Sequence, residues 1–270
     1  MKYLLGVDGV RALEAFAMAN TLVAFDYDGT LAPIVENPRD AKMGQQTRIL
    51  LDEIVCMAPV AIISGRARDD LRNIIDAKVD FFIGNHGLEG LPSGSASLKN
   101  ANSATQKWSE VLRSDLDFNG VWVEDKVYSL AVHYRSAEDK RFVKGEILRI
   151  CSQLDPAPRI VMGKFVVNLI SAGSPHKGVA LLELMLKVGC RSAVYFGDDD
   201  NDEDVFRLSD ESLLTVRVGN NTNSAALFYI KDQGEIDRAL SIMARVMRDS
   251  GKPKRQSFDC VGILDANRPN

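Results

Sequence analysis

The chain has 270 residues, 46% of them hydrophobic and 26% charged, enough apolar mass for one large core or two smaller ones. Its 33 basic residues stand against 37 acidic ones, a net charge of -4, so it lacks the basic field that collects nucleic acid or an anionic membrane surface. Cys56, Cys151, Cys190 and Cys260 show no CxxC spacing and mostly lie in apolar runs, which predicts reduced thiols and a cytoplasmic protein. The opening MKYLLGVDGV is broken by Asp8, with Arg11 just beyond, and fits neither a leader peptide nor a membrane span.

Thr21 to Phe25 is a short apolar run ending in Asp26-Tyr27-Asp28-Gly29-Thr30, the pattern of a buried parallel strand meeting a loop. Apolar residues at helical spacing follow from Gln45 to Met57. A second buried strand, Val60 to Ile63, then stops at Ser64-Gly65-Arg66. Asp69 to Ile75 reads as a helix and Phe81 to Ile83 as a strand that runs into Gly84-Asn85-His86-Gly87. Leu91 to Asn102, rich in Ser, Gly and Asn, has no sustained apolar period and marks a boundary or hinge.

A small α/β module is predicted next. It has a helix around Trp108 to Leu116, strands at Val121 to Glu124 and Tyr128 to Tyr134, a helix over Ala137 to Leu154, and strands near Ile160 and over Phe165 to Ile170. After Ser171-Ala172-Gly173-Ser174-Pro175 the βα rhythm resumes. A helix from Lys177, a strand at Ala193 to Phe196, the acidic run Gly197 to Asp204, strands near Leu214 to Val218 and Leu227 to Ile230, and an amphipathic helix over Glu235 to Met247 complete it. The reading is thus an α/β core of residues 1–90 and 175–250, with a parallel sheet and helices on both faces, an inserted α/β domain over 91–174, and a loose tail over 251–270 that carries Lys252, Lys254 and Arg255. In such sheets ligands bind beyond the carboxyl ends of the strands, where the polar motifs fall.

Asp26 and Asp28, two residues apart on one loop, can face a common point if the segment is extended. One carboxylate can attack phosphorus to form an acyl phosphate while the other protonates the leaving alkoxide and then activates water. Asp26 fits the first role and Asp28 the second. Phosphoryl transfer also needs cations and fixed donors for the charge on the equatorial oxygens. Ser64 and the Gly65 backbone are candidate donors, and Lys177, at a predicted helix start, is the candidate point charge. A magnesium ion, which prefers oxygen ligands, would sit between Asp26 and Asp198, with Asp202 as a partner on the metal side and Asp199 as a further candidate. Each element has a plainer reading: a DxD is often a solvated turn, Ser64 a helix cap, Lys177 a surface lysine and the acidic run a helix-start cluster.

The ordered set DYDGT, Ser64, Lys177 and GDDDND resembles the motifs of haloacid-dehalogenase (HAD) phosphatases. With SGR at Ser64 to Arg66, GNHGLE at Gly84 to Glu89, VEDKVYSLAVHYR at Val123 to Arg135 and GDDDNDEDVF at Gly197 to Phe206, the chain is similar to trehalose-6-phosphate phosphatases. That resemblance implies a Rossmann-like HAD core whose inserted cap closes over a sugar phosphate. It also implies a magnesium ion held in part by the main-chain carbonyl of Asp28. Carried onto this chain it makes Glu124 and Lys126 sugar contacts, with Gly65, Arg66 and His86 at the core edge, and His133 and Arg135 further along the cap. His133 and Arg135 alternate with Val132 and Tyr134, so they can equally be the solvent face of a strand.

Two departures touch the substrate. Asn168 stands where the family more often has a charged sugar contact, and Asn201 where it tends to carry Thr. The implied partner is a small sugar phosphate, with no nucleic acid or membrane, and the chain acts as a monomer. The alternatives are a HAD phosphatase for another glycosyl or pseudosugar phosphate, a non-catalytic phosphosugar-binding module, and a mutase, although nothing marks a second phosphate site.

Overall fold

The structure, a computed structural model, describes residues 1–35, 37–91, 95–251 and 255. By contacts the chain divides into two compact units, one of residues Met1–Leu91 and His176 onward, the other Pro92–Pro175. In chain order the first unit begins with β1 (Lys2–Tyr3), α1 (Val7–Met18), β2 (Thr21–Phe25), α2 (Gln45–Ile54), β3 (Val60–Ile63), α3 (Arg68–Ile74) and β4 (Phe81–Ile83). The second unit holds α4 (Ser95–Asp115), β5 (Trp122–Asp125), β6 (Ser129–His133), α5 (Lys140–Cys151), β7 (Pro158–Gly163) and β8 (Val166–Ser171). The first unit resumes with α6 (Lys177–Val188), β9 (Ser192–Gly197), α7 (Glu203–Phe206), β10 (Leu213–Val218), β11 (Phe228–Ile230) and α8 (Ile236–Asp249).

The first unit is built on a seven-stranded sheet in the order β1-β11-β10-β9-β2-β3-β4, parallel at every pairing. Successive strand residues point to opposite faces, so β2 divides its side chains between two cores. Val23 and Phe25 pack among residues of α1, α2 and α8, while Leu22 and Ala24 pack against Leu181 and Leu184 of α6. Coverage on both faces is why these strands read as unbroken apolar runs. On α8 the buried residues Ile236, Ala239, Leu240, Met243, Ala244 and Met247 recur at helical spacing and form one stripe.

The second unit is a four-stranded antiparallel sheet, β5-β6-β8-β7. Leu130, Val132, Val167 and Leu169 of this sheet pack on Trp108 and Leu112 of α4 and on Val143 and Ile147 of α5. Trp108 is fully buried, and its indole Nε1 donates to the Pro156 carbonyl at 2.7 Å, which satisfies the polar edge of an otherwise apolar side chain.

Several elements differ from the expectations. The helix expected around Trp108 to Leu116 begins at Ser95, inside the stretch expected to be a hinge. Its buried residues Ala101, Ala104, Trp108 and Leu112 keep helical spacing, but Ser and Asn on the other positions mask the period. The short strand β1 and helix α1 were not expected, although Leu13 and Ala17 are buried one turn apart. No described helix is long and apolar enough to cross a membrane, and Cys56, Cys151 and Cys190 are free thiols. Cys260 and the tail residues Lys252 and Lys254 lie outside the described residues. Arg255 is tied down, its backbone N–H donating to the Cys56 carbonyl at 2.7 Å and its guanidinium to Asp80 at 3.2 Å.

Because Trp108 fills the centre of the second unit's core, Trp108→Ala is expected to cost about 3–5 kcal/mol through lost burial and a residual cavity. Urea unfolding followed by far-UV circular dichroism measures it; a loss below about 1 kcal/mol would mean that this core tolerates the void.

Candidate active site

In the sheet order β9, β2, β3 and β4 are adjacent and parallel, so their carboxyl ends form one edge. Asp198 follows β9, Asp26 follows β2, Ser64 follows β3, and the loop from Gly84 follows β4. Asp26 still takes part in the ladder, its N–H donating to the Phe196 carbonyl at 2.8 Å, and Ser64 donates its N–H to Ile83 at 2.9 Å. Both side chains are therefore held by regular backbone, and both are buried.

Lys177, the first residue of α6, is 0% exposed. Its ammonium lies 3.1 Å from Asp26 Oδ1 and 2.8 Å from Asp202 Oδ1. The same Asp202 oxygen accepts from the buried Tyr195 hydroxyl at 2.7 Å, and Asp202 Oδ2 accepts from the Asp199 N–H at 2.9 Å. Burial opposes the Lys177 ammonium, but Asp202 and Asp26 outweigh it and raise its pKa. Burial pushes the Asp26 carboxyl up, Asp202 and Asp28 add to the rise, and Lys177 opposes it. The Asp199 carboxyl is likewise raised by burial.

Asp26, Asp198 and Asp202 each present a carboxylate oxygen, all within 4.8 Å of one another and all buried. An all-oxygen set of three carboxylates, two of which share one ammonium, fits a hard divalent cation, which would relieve their mutual repulsion. The loops must meet closely for this. Gly29 has φ +85°, and a Cβ there would overlap the Asp198 carboxylate, so glycine is required on both counts. The acidic run also caps its own helical turn, the Asp199 side chain accepting from the backbone of Asp202 in a reciprocal capping box.

Asp28 does not share a partner with Asp26. The chain turns after Asp26, with the N–H groups of Leu31 and Ala32 both donating to the Tyr27 carbonyl. Asp28 instead forms a two-pronged ion pair with Arg66, Nε to Oδ2 at 2.6 Å and Nη2 to Oδ1 at 2.7 Å. Arg66 also donates to Asp70 at 2.8 Å and to the Pro38 carbonyl at 2.6 Å. Each guanidinium nitrogen therefore has a protein acceptor.

The loop Asn85–Gly87 is a clasp on the Ser64–Arg66 turn. Asn85 and His86 donate their N–H groups to the carbonyls of Arg66 and Ser64 at 2.7 and 2.9 Å. Glu89 accepts from the Arg68 N–H at 2.8 Å and from the Asn85 amide at 2.9 Å. His86, at φ +60°, lays its buried ring against Gly65, where any Cβ would strike it.

The other sequence-singled residues lie in the second unit. Glu124, Ala131 and Asn168 are partners across β5, β6 and β8, on the face opposite the packed core, and His133 shares that face. His133 Nε2 lies 2.9 Å from Glu124 Oε2, with the Lys126 ammonium 3.8 Å from the same oxygen. The His133 ring stacks on Trp122 with centroids 4.0 Å apart. Asn168 is buried and donates to the Val161 carbonyl at 3.2 Å. Arg135 lies apart from this group, its guanidinium 5.6 Å from the Phe165 ring centroid.

Sequence reasoning missed Tyr195, Trp122 and the buried pair Arg217–Glu203, whose Nη1 and Oε1 are 3.1 Å apart. Arg217 also donates to the Asp199 carbonyl at 3.3 Å and so steadies the acidic loop from below. Tyr195 and Arg217 sit inside apolar strand runs, where only a polar residue at a buried strand position could have signalled them.

The trehalose-phosphatase family model matches residues 24–233. Probable trehalose-phosphate phosphatase 4 of Oryza sativa subsp. japonica is 32% identical over 244 residues, 83% of this chain and 66% of the relative. The chain thus spans about two thirds of the length of that curated relative. In fold it is similar to the C-terminal domain of C. albicans trehalose-6-phosphate phosphatase, with a TM-score of 0.74 at 20% identity, covering 87% of this chain and 96% of that one. It also matches a phosphatase of the haloalkanoate (HAD) superfamily from Bacteroides thetaiotaomicron, with a TM-score of 0.56 at 15% identity, covering 85% and 96% of the two chains. The core architecture is therefore the HAD phosphatase fold, and with a match that takes in both flanks of the acidic cluster, residues 24–233, the chain belongs to the trehalose-phosphatase family.

Proposed function

We propose that this protein is a magnesium-dependent phosphatase that releases phosphate from trehalose 6-phosphate through an aspartyl-phosphate on Asp26. The observation that carries the reading is the buried cluster at the sheet edge, in which Asp26 lies 3.1 Å from a fully buried Lys177 ammonium and within 4.8 Å of Asp198 and Asp202. A surface acidic turn has no use for a buried lysine, whereas a nucleophile facing a dianion needs one.

In the first step an Asp26 carboxylate oxygen bonds to phosphorus as the bond from phosphorus to the sugar oxygen breaks, and Asp28 gives its proton to that oxygen. In the second, water attacks phosphorus, Asp28 takes the water's proton, and the bond to Asp26 breaks, restoring the Asp26 carboxylate and the protonated Asp28. Lys177 holds the nucleophile in place and offsets phosphate charge. Ser64 and the Gly65 N–H are the donors for the transferred oxygens. Asp26, Asp198 and the main-chain carbonyl of Asp28 would hold magnesium, with Asp202 behind them and Asp199 beside them. That ion supplies charge neutralisation between phosphate and carboxylates.

The second unit, residues 92–175, serves in this reading as a cap that recognises the sugar. Glu124, Lys126, His133 and Asn168 offer the polar partners that a polyol requires; Arg135, Arg66 and His86 are lesser candidates for this role. Two findings support assigning Arg66 elsewhere: its nitrogens are all engaged within the protein, and two of them hold Asp28. The working form is a cytoplasmic monomer.

Phosphate release should favour trehalose 6-phosphate over glucose 6-phosphate and sucrose 6-phosphate, stop with chelator and return with magnesium. Asp26→Asn should lower kcat by more than about 10³-fold. Preference for another sugar phosphate would keep the chemistry and change the substrate; no turnover of any of them would favour a phosphosugar-binding module.

Lys177→Met should do two separable things. It leaves Asp26 and Asp202 buried without their cation, which costs about 3–5 kcal/mol of stability, and it removes activity even where the protein is fully folded. A variant that melts like the wild type yet stays inactive would confine Lys177 to chemistry; one that retains turnover would remove it from the mechanism.

A further inference from the structure

We propose that Arg66 is a positioning residue for catalysis: its guanidinium fork holds the Asp28 carboxylate in the orientation from which it exchanges a proton with the leaving sugar oxygen. The inference rests on the reading of Asp28 as acid and base. It assigns Arg66 a role through Asp28 in place of a contact with the sugar.

The geometry is that of a fixed bracket. Two parallel N–H donors meet the two oxygens of one carboxylate, at 2.6 Å and 2.7 Å, which sets the plane of the carboxylate as well as its place. The Asp28 side chain is 36% exposed while that of Arg66 is 9% exposed. Thus the carboxylate alone is on a half-open turn and free to choose rotamers, and the arginine is the rigid member of the pair.

Arg66 is itself braced from three sides. Asp70, in the first turn of α3, accepts from Nη1 at 2.8 Å, the Pro38 carbonyl accepts from Nη2 at 2.6 Å, and the guanidinium lies 5.6 Å from the Tyr27 ring centroid. Its backbone carbonyl is gripped by the Asn85 N–H at 2.7 Å. The Ser64–Arg66 turn thereby ties the candidate phosphate donors and the acid to a single piece of backbone. A lysine could supply the charge but cannot reproduce the fork.

Proton delivery matters when the leaving group is an alkoxide and much less when it is a stabilised phenolate, so the two can be told apart by substrate. The experiment compares kcat/KM for trehalose 6-phosphate and 4-nitrophenyl phosphate in wild type, Asp28→Asn, Arg66→Met, Arg66→Lys and the Asp28→Asn/Arg66→Met double variant. Misplacement of a reacting group by about 1 Å can cost about 100-fold in rate. Arg66→Met should therefore lose about that much on the sugar phosphate and far less on the aryl phosphate, with Arg66→Lys between it and wild type. The double variant should be no slower than Asp28→Asn alone.

Equal losses on both substrates in Arg66→Met, or losses that multiply in the double variant, would overturn the proposal while leaving Asp28 as the acid. Absence of any substrate discrimination in Asp28→Asn would instead overturn the reading of Asp28 and this proposal with it. Should Arg66→Met fail to fold, Arg66→Lys carries the same comparison.

Discussion

A lysine with 0% exposure at the head of a helix is the constraint around which the first unit is arranged. Removing an ammonium from water costs several kcal/mol, recovered only with excellent geometry and full satisfaction of its hydrogen bonds. Lys177 meets that condition because two carboxylates from different strand ends, Asp26 and Asp202, lie 3.1 and 2.8 Å away. Each requirement passes outward. The helix must begin at residue 177, and His176 caps it by accepting from the Gly178 N–H. The backbone at Gly178 must lie so near the Asp204 carbonyl that no Cβ fits. Asp202 must be held as an acceptor, which Tyr195 and the Asp199 N–H accomplish.

The same constraint separates the two aspartates of the DYDGT loop. Lys177 is already shared between Asp26 and Asp202, and the turn after Asp26 delivers Asp28 to a second cation, the planar fork of the largely buried Arg66. These environments differ in kind. Burial raises the pKa of Asp26 and leaves it dependent on Lys177, and on any metal, for its charge. Asp28 keeps a face to water. For a mechanism in which one carboxylate must remain an anion and the other must move a proton, that asymmetry is what two chemically identical side chains need.

Much of this was legible in the sequence. The runs Thr21 to Phe25, Val60 to Ile63 and Phe81 to Ile83 became β2, β3 and β4 within the same bounds, because a strand covered on both faces must be apolar throughout and must end where its polar loop begins. The first half of α4 was not legible. Its one-sided burial is carried by Ala101 and Ala104, and small residues leave a weak period among Ser and Asn. Nor could the pairing of Asp28 with Arg66 be read, since an i, i+2 spacing implies a shared direction only where the chain is extended, and here it bends at Tyr27, between the two aspartates. Tyr195 and Arg217 carry only the weak mark of a polar group inside an apolar strand run. Their importance lies in long-range partners, and spacing within one strand does not encode these.

The two sheets differ in what their topologies offer. A parallel sheet gathers all its carboxyl ends on one edge, so loops distant in sequence converge on one point, as phosphoryl transfer requires. An antiparallel sheet covered by helices on one face presents a broad second face, where Glu124 and Asn168 flank Ala131 in register and Trp122 stacks on His133. In the function proposed above, the phosphate chemistry is then fixed by Lys177 and its carboxylates, while Asn168, buried on that second face and bonded to Val161, can shift the choice of sugar at no cost to the nucleophile.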